Sequence, residues 1–159
     1  MNMELFQKDY KGKKIKDAYR KRIILQGLTG INEKFRLKAT IIDPPAFLAN
    51  SCNYLLDKNN MNFNFVLGLI NSKLLNFIFK CKSTSSNVNG YEVDDLPFPK
   101  NIDETIEREI EKIVDNILEA KKKDPQANTG ELENKIDQIV YKLYDLNSEE
   151  ICIVENSIK

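Results

Sequence analysis

The sequence predicts an α+β fold: a small strand-containing unit followed by a helical tail. Three observations carry this. Residues 34–42 alternate apolar and polar side chains, residues 63–80 hold an apolar stripe at spacings of three and four, and beyond Leu96-Pro97-Phe98-Pro99 every apolar repeat is helical. At 159 residues, with 42% hydrophobic and 30% charged side chains, the chain can bury a sizeable core. The expected divisions are a linker or fraying end at 1–17, the strand-containing unit at 18–99, and the helical tail at 100–159.

Taken in order, residues 1–17 are weakly patterned, and Gly12 among dense lysines opposes packing. Arg20-Lys21-Arg22 leads into a first strand at Ile23-Ile24-Leu25, and Gln26-Gly27-Leu28-Thr29-Gly30 is a turn-prone break. In the second strand Phe35, Leu37 and Ala39 alternate with Arg36, Lys38 and Thr40, which places the latter three on one outward face. Asp43-Pro44-Pro45-Ala46-Phe47 is similar to the Asp/Asn-Pro-Pro-aromatic motif of amino-methyltransferases. Ala46 stands at the aromatic position and no glycine-rich turn precedes it, so the stretch reads as a rigid turn. Residues 47–56 give a third strand or extended segment.

Asn62 caps a single helix over 63–80, whose apolar face is Phe63, Val66, Leu67, Ile70, Leu74, Phe77 and Ile78. Gly68 costs that helix about 1 kcal/mol relative to alanine, a cost accepted where another element packs close. A polar loop follows at 80–91, then a brief strand at Tyr91-Glu92-Val93 and the Leu96-Pro97-Phe98-Pro99 stop. Ile106, Ile110, Ile113, Ile117 and Ala120 form one seam, and Leu132, Ile136, Ile139, Leu143 and Leu146 form another. With the breaker at 124–130 they predict an antiparallel helical hairpin. Asn101 with Glu104 and Asn147 with Glu150 read as capping boxes, the second opening a short helix over 148–157 with Leu146 and Ile151 in staple positions.

Composition narrows the chemistry. The chain has no histidine, and Cys52, Cys81 and Cys152 are dispersed, which removes a structural zinc site and any Ser-His or Cys-His nucleophile pair. Each cysteine reads as a small buried or half-buried residue. Nothing resembles a membrane span or a secretory signal, so the expected location is cytoplasmic. A net charge of zero conceals a gradient: 11 Lys/Arg against 4 Asp/Glu over 1–42, 5 against 5 over 43–100, and 8 against 15 over 101–159. A basic leading end suits a phosphate surface, whereas an acidic tail repels phosphate and suits a spacer or docking surface.

The order Phe65-Val66-Leu67-Gly68-Leu69-Ile70-Asn71-Ser72-Lys73-Leu74-Leu75-Asn76-Phe77, a polar loop, Leu96-Pro97-Phe98-Pro99, then Ile136-Asp137-x-x-Val140-Tyr141-x-Leu143-Tyr144-x-Leu146-x-x-Glu149-Glu150-Ile151-x-x-Val154-Glu155 resembles the TaqI-like C-terminal specificity domain. That domain is the target-recognition region of type IIG restriction-modification enzymes and related adenine-N6 DNA methyltransferases. The resemblance spans about 22–155. It implies that this chain selects a site on double-stranded DNA while an upstream methyltransferase domain binds S-adenosylmethionine and methylates a flipped adenine. It implies no catalytic residue, cofactor or metal in this chain itself. Asn71, Ser72, Leu96 and Tyr141 are expected to shape the fold.

On that reading Arg20, Arg22, Arg36, Lys38, Lys80 and Lys82 are candidates for phosphate positioning. Gln26, Thr29, Ser83, Thr84, Ser85, Asn87, Asn89 and Tyr91 are candidate readers of base edges, directly or through water. The alternatives are a plainly solvated polar loop and a protein-interaction module that docks through the helical hairpin.

Overall fold

The computed structural model describes residues 13–57 and 61–158, and the rest of the expected linker lies outside them. The elements are α1 (Lys13–Ala18), β1 (Arg22–Gln26), β2 (Ala39–Ile42), β3 (Cys52–Leu56), α2 (Phe63–Asn71), α3 (Lys73–Lys82), α4 (Gly90–Asp94), α5 (Glu104–Lys123), α6 (Gly130–Leu143) and α7 (Ser148–Ser157). This is the α+β class expected. Residues 13–17 of the expected linker are helical, and Asp17 is buried where it accepts a hydrogen bond from the Tyr54 hydroxyl at 2.8 Å.

The sheet is antiparallel in the order β2-β1-β3. Opposed residues share a face, so Ile23 and Leu25 bury one side with Ile41, Ala39 and Leu55, while Arg22, Ile24 and Gln26 share the other with Ile42, Thr40 and Tyr54. Helix α2 lies between the core face of the sheet and the α5–α6 hairpin, which explains why Phe65, Leu67, Leu69 and Ile70 are all buried around its circumference. A methyl group at Gly68 would stand 2.7 Å from Ile110 Cγ2 and 3.1 Å from Val114 Cγ2 on α5. The glycine admits the close approach its sequence position predicts, and one hydrophobic core joins the sheet, α2, α3 and the tail.

Five local expectations are corrected. The central helix is two helices, because Ser72 takes an extended conformation (φ −64°, ψ 154°), ends α2 by donating from Oγ to Leu69 O at 2.7 Å, and starts α3 by accepting from Leu75 N. Strand pairing covers 39–42 and 52–56 rather than 34–42 and 47–56. Tyr91-Glu92-Val93 belongs to helix α4, where the Glu92 carboxylate accepts from the Asn89 backbone amide at 2.9 Å. Helix α5 is capped by Asp103, which accepts from Thr105 N, and not by Asn101. The Asn147–Glu150 box stands as expected at α7. Cys81 and Cys152 are exposed rather than buried. Among the described residues, no helix is long and apolar enough to cross a membrane.

The segments that carry the family resemblance meet in space. The Asn71 side chain pairs with the outer edge of β2, accepting from Ala39 N at 2.9 Å and donating to Ala39 O at 3.0 Å, as a neighbouring strand would. Lys73 Nζ lies 3.3 Å from Asp137 and 3.0 Å from Glu155, and Tyr141 donates to Glu155 at 2.9 Å. Burial opposes the Lys73 charge, but the two carboxylates outweigh it and hold its ammonium above the ordinary value. Burial also pushes the Asp137 carboxyl up, against the pull of Lys73. This cluster fastens α3 to α6 and α7.

Candidate nucleic-acid interface

The region around the polar loop is organised by one residue, Arg36. The strand alternation predicts an outward guanidinium; instead it is 1% exposed. The reason is that residues 35–38 precede the strand proper, and their backbone is turned by Asn76, whose Oδ1 accepts from Arg36 N at 2.9 Å and from Leu37 N at 2.7 Å. That anchor points the Arg36 side chain inward across the Phe79 ring, 5.1 Å from its centroid.

There the guanidinium fork meets four acceptors: Thr29 Oγ1 at 3.3 Å, Ser83 Oγ at 3.1 Å, Ser85 O at 2.6 Å and Asn87 O at 3.3 Å. One rigid, permanently charged group thus ties the loop after β1 to the loop after α3. The backbone completes the join. Thr29 N donates to Ser86 O at 2.9 Å, Val88 N to Gly27 O at 3.0 Å, and Leu28 pairs with Asn87 in an antiparallel bridge. The start of β3 is drawn in as well, through Gly27 N to Ser51 O at 2.7 Å and Asn53 Nδ2 to Val88 O. A Cβ at Gly27 would stand 2.5 Å from Ser51 O, so only glycine allows the three loops to approach this closely.

Glu92 links the platform to α4. Burial would raise its carboxyl, yet hydrogen bonds from Asn89 and Ser83 and the Arg36 charge bring it below its ordinary value.

The structure sorts the expected site residues. Gln26, Thr29, Arg36, Ser83, Thr84, Ser85, Asn87, Asn89 and Tyr91 come together at this end of the sheet. Of these, Arg36, Thr29 and Ser83 are buried and form the clamp, while Asn89 holds Glu92. Gln26, Thr84, Asn87 and Tyr91 are exposed, Tyr91 at 69%.

Arg20 and Arg22 lie at the opposite end of β1. Arg20 donates to Asp57 O at 3.2 Å; Arg22 is buried over the Tyr54 ring and donates to Ala46 O. Lys80 turns towards α7 and donates to Ser157 O at 3.1 Å. Lys38 is exposed and pairs with Glu33 at 3.0 Å, whereas Lys82 is exposed at the end of α3. Sequence reasoning missed Lys34 and Leu28. Lys34 is exposed beside the platform; it heads the alternating run, but only Arg36, Lys38 and Thr40 were assigned to its outward face. Leu28 is 55% exposed in a stretch read only as a turn.

An open cleft of about 1120 Å³ separates this platform from the tail, with Gln26, Leu28, Lys34 and Lys38 on one wall and Ile117 and Lys121 on the other. Among the described residues, no three His, Cys, Asp or Glu side chains gather as a metal site. The arrangement is one of presentation: a rigid, hydrogen-bonded base with polar and cationic side chains directed outward.

No protein-family model matches the sequence, and no curated protein matches it. The fold is similar to part of the type IIL restriction-modification enzyme MmeI, solved in complex with DNA, with a TM-score of 0.56 and 15% identity over 87% of this chain. The chain corresponds to 21% of the length of that enzyme, and what the two share is the fold.

Proposed function

We propose that this chain is the sequence-recognition module of a restriction-modification enzyme, of the type IIG-like class its motifs resemble. In that role it holds an upstream adenine-N6 methyltransferase domain, which would supply the S-adenosylmethionine site, on its DNA target. The observation that carries the reading is the Arg36-clamped platform. Base reading needs side chains fixed to within a fraction of an ångström, and here three loops are fixed to one another by a buried guanidinium and paired backbone. The fold it shares with part of a restriction-modification enzyme supports the same reading.

The roles then divide by exposure. Lys34, Lys38 and Lys82 position phosphates; Gln26, Thr84, Asn87 and Tyr91 face the base edges; Arg36, Thr29, Ser83 and Asn89 hold them in place. The α5–α7 tail, packed on α2 and carrying a local acidic excess, acts as spacer and docking surface for the rest of the enzyme.

Fluorescence anisotropy with labelled duplexes, titrated across salt, tests this. The expected result is affinity that falls steeply with salt, and a Lys34→Glu, Lys82→Glu variant that loses affinity on all sequences with a log–log salt slope shallower by about 2, one for each lost phosphate contact. Lys80 is left unchanged because it braces α7. Absence of any salt-sensitive duplex binding by the wild-type chain would overturn the proposal and favour a docking module built on the hairpin.

A further inference from the structure

Leu28 is an apolar side chain placed in solvent by a backbone with almost no freedom to withdraw it. Its neighbours Gly27 and Thr29 are each hydrogen-bonded across to the loop at 86–88, Leu28 itself pairs with Asn87, and Gln26 Nε2 donates to Leu28 O at 2.8 Å. In an extended segment successive side chains alternate sides. Thr29 points inward under the guanidinium at 3% exposed, and Leu28 points outward at 55%. Gln26, Lys34 and Ser51 line the same cleft as Leu28, and the exposed Asn87 lies across the bridge. Ile31, three residues on, is 53% exposed.

A rigid apolar group in a cleft that also carries amide, hydroxyl and ammonium groups matches one feature of a duplex groove. Only thymine carries an apolar group, its 5-methyl, on the major-groove edge among donors and acceptors. A loose leucine on a mobile loop would lose much of that contact to ordering entropy; this one is ordered before binding. From the geometry we infer that Leu28 is a specificity-determining residue that reads a thymine 5-methyl group in the target. The inference rests on the DNA-recognition proposal and adds to it the base feature being read.

The test begins with duplexes enriched from a random library by the full chain, followed by replacement of each dT in the enriched sequence by deoxyuridine, which removes the methyl and nothing else. Loss of one methyl contact should weaken wild-type binding about fourfold at one position. Leu28→Ala should bind the thymine duplex about as weakly as wild type binds the uracil one, and should no longer distinguish the two. Because Leu28 is exposed, its unfolding midpoint should match that of wild type, separating lost reading from lost folding. Enrichment with no thymine-to-uracil difference in wild type, or an undiminished difference in Leu28→Ala, overturns the inference and leaves the recognition proposal standing. Failure to enrich any sequence overturns both.

Discussion

Replacing Arg36 by methionine keeps most of the volume of the side-chain stem and removes the fork. The two shorter contacts, to Ser85 O at 2.6 Å and Ser83 Oγ at 3.1 Å, are bonds to a charged donor, each worth about 1.5–3 kcal/mol; the two at 3.3 Å contribute less. Against their sum stands the desolvation of a guanidinium that is 1% exposed, a cost methionine does not incur. The net expectation is a destabilisation of about 2–4 kcal/mol, because methionine leaves the Ser85 and Asn87 carbonyls facing an apolar group.

Urea unfolding at unchanged m value measures that loss. Amide exchange at Thr29 and Val88, whose hydrogen bonds cross between the two loops, should accelerate more than exchange at Ile23 and Leu25 in the core strand. Arg36→Lys should not restore either measure, since a single ammonium cannot reach acceptors on both loops. An Arg36→Met variant within about 1 kcal/mol of wild type, with Thr29 and Val88 still protected, would refute the claim that this guanidinium holds the platform together.

Two further outcomes follow from the packing and the charges. Gly68→Ala should destabilise by about 1–3 kcal/mol despite the better helix propensity, because its methyl meets Ile110 and Val114 at 2.7 and 3.1 Å; combining it with Ile110→Ala should give a thermal-unfolding loss smaller than the sum of the two single losses. Glu92 is held below its ordinary 4.5, so its ionised form stabilises the fold above that pH, and the contribution is lost as pH falls through the lower folded value. The stability gap between wild type and Glu92→Gln should therefore be full near neutrality and shrink in acid below 4.5, and a gap that widens in acid would contradict the arrangement.

The tail was legible because its signal is local. Ile110 and Ile136 of the two predicted seams are buried, and Ile106, Ile113, Ile117, Ile139 and Leu143 pack partly buried against the same core; Val114 and Val140, which stand outside both seams, are buried with them. Gly68 was legible for the same reason, as a cost that only a close neighbour explains. The break at Ser72 was not, since apolar spacing continues across it and the cap that divides the helix is one hydroxyl serving both ends. Arg36 was misread because period-two patterning assigns a face only inside a paired strand, and three of its four acceptors lie 47 to 51 positions away in a loop of ordinary polar composition. Nothing in Thr29 or Ser83 alone marks a residue that will be buried beneath a charge. Tyr91-Glu92-Val93 has strand-like composition, but Asn89 and Glu92 at a spacing of three settle it as a turn of helix.

Over residues 85–87 of the loop, what the guanidinium grips is main-chain oxygen. Ser85 and Asn87 are held through their carbonyls, and Ser86 meets Thr29 through its carbonyl as well. Every amino acid carries that atom. The side chains at 84, 86 and 87 can therefore be exchanged one for another while the loop keeps its path, because the interactions that fix its shape are indifferent to their identity. If this chain reads DNA as proposed, its preference could be changed by point substitution on the loop, without a new scaffold.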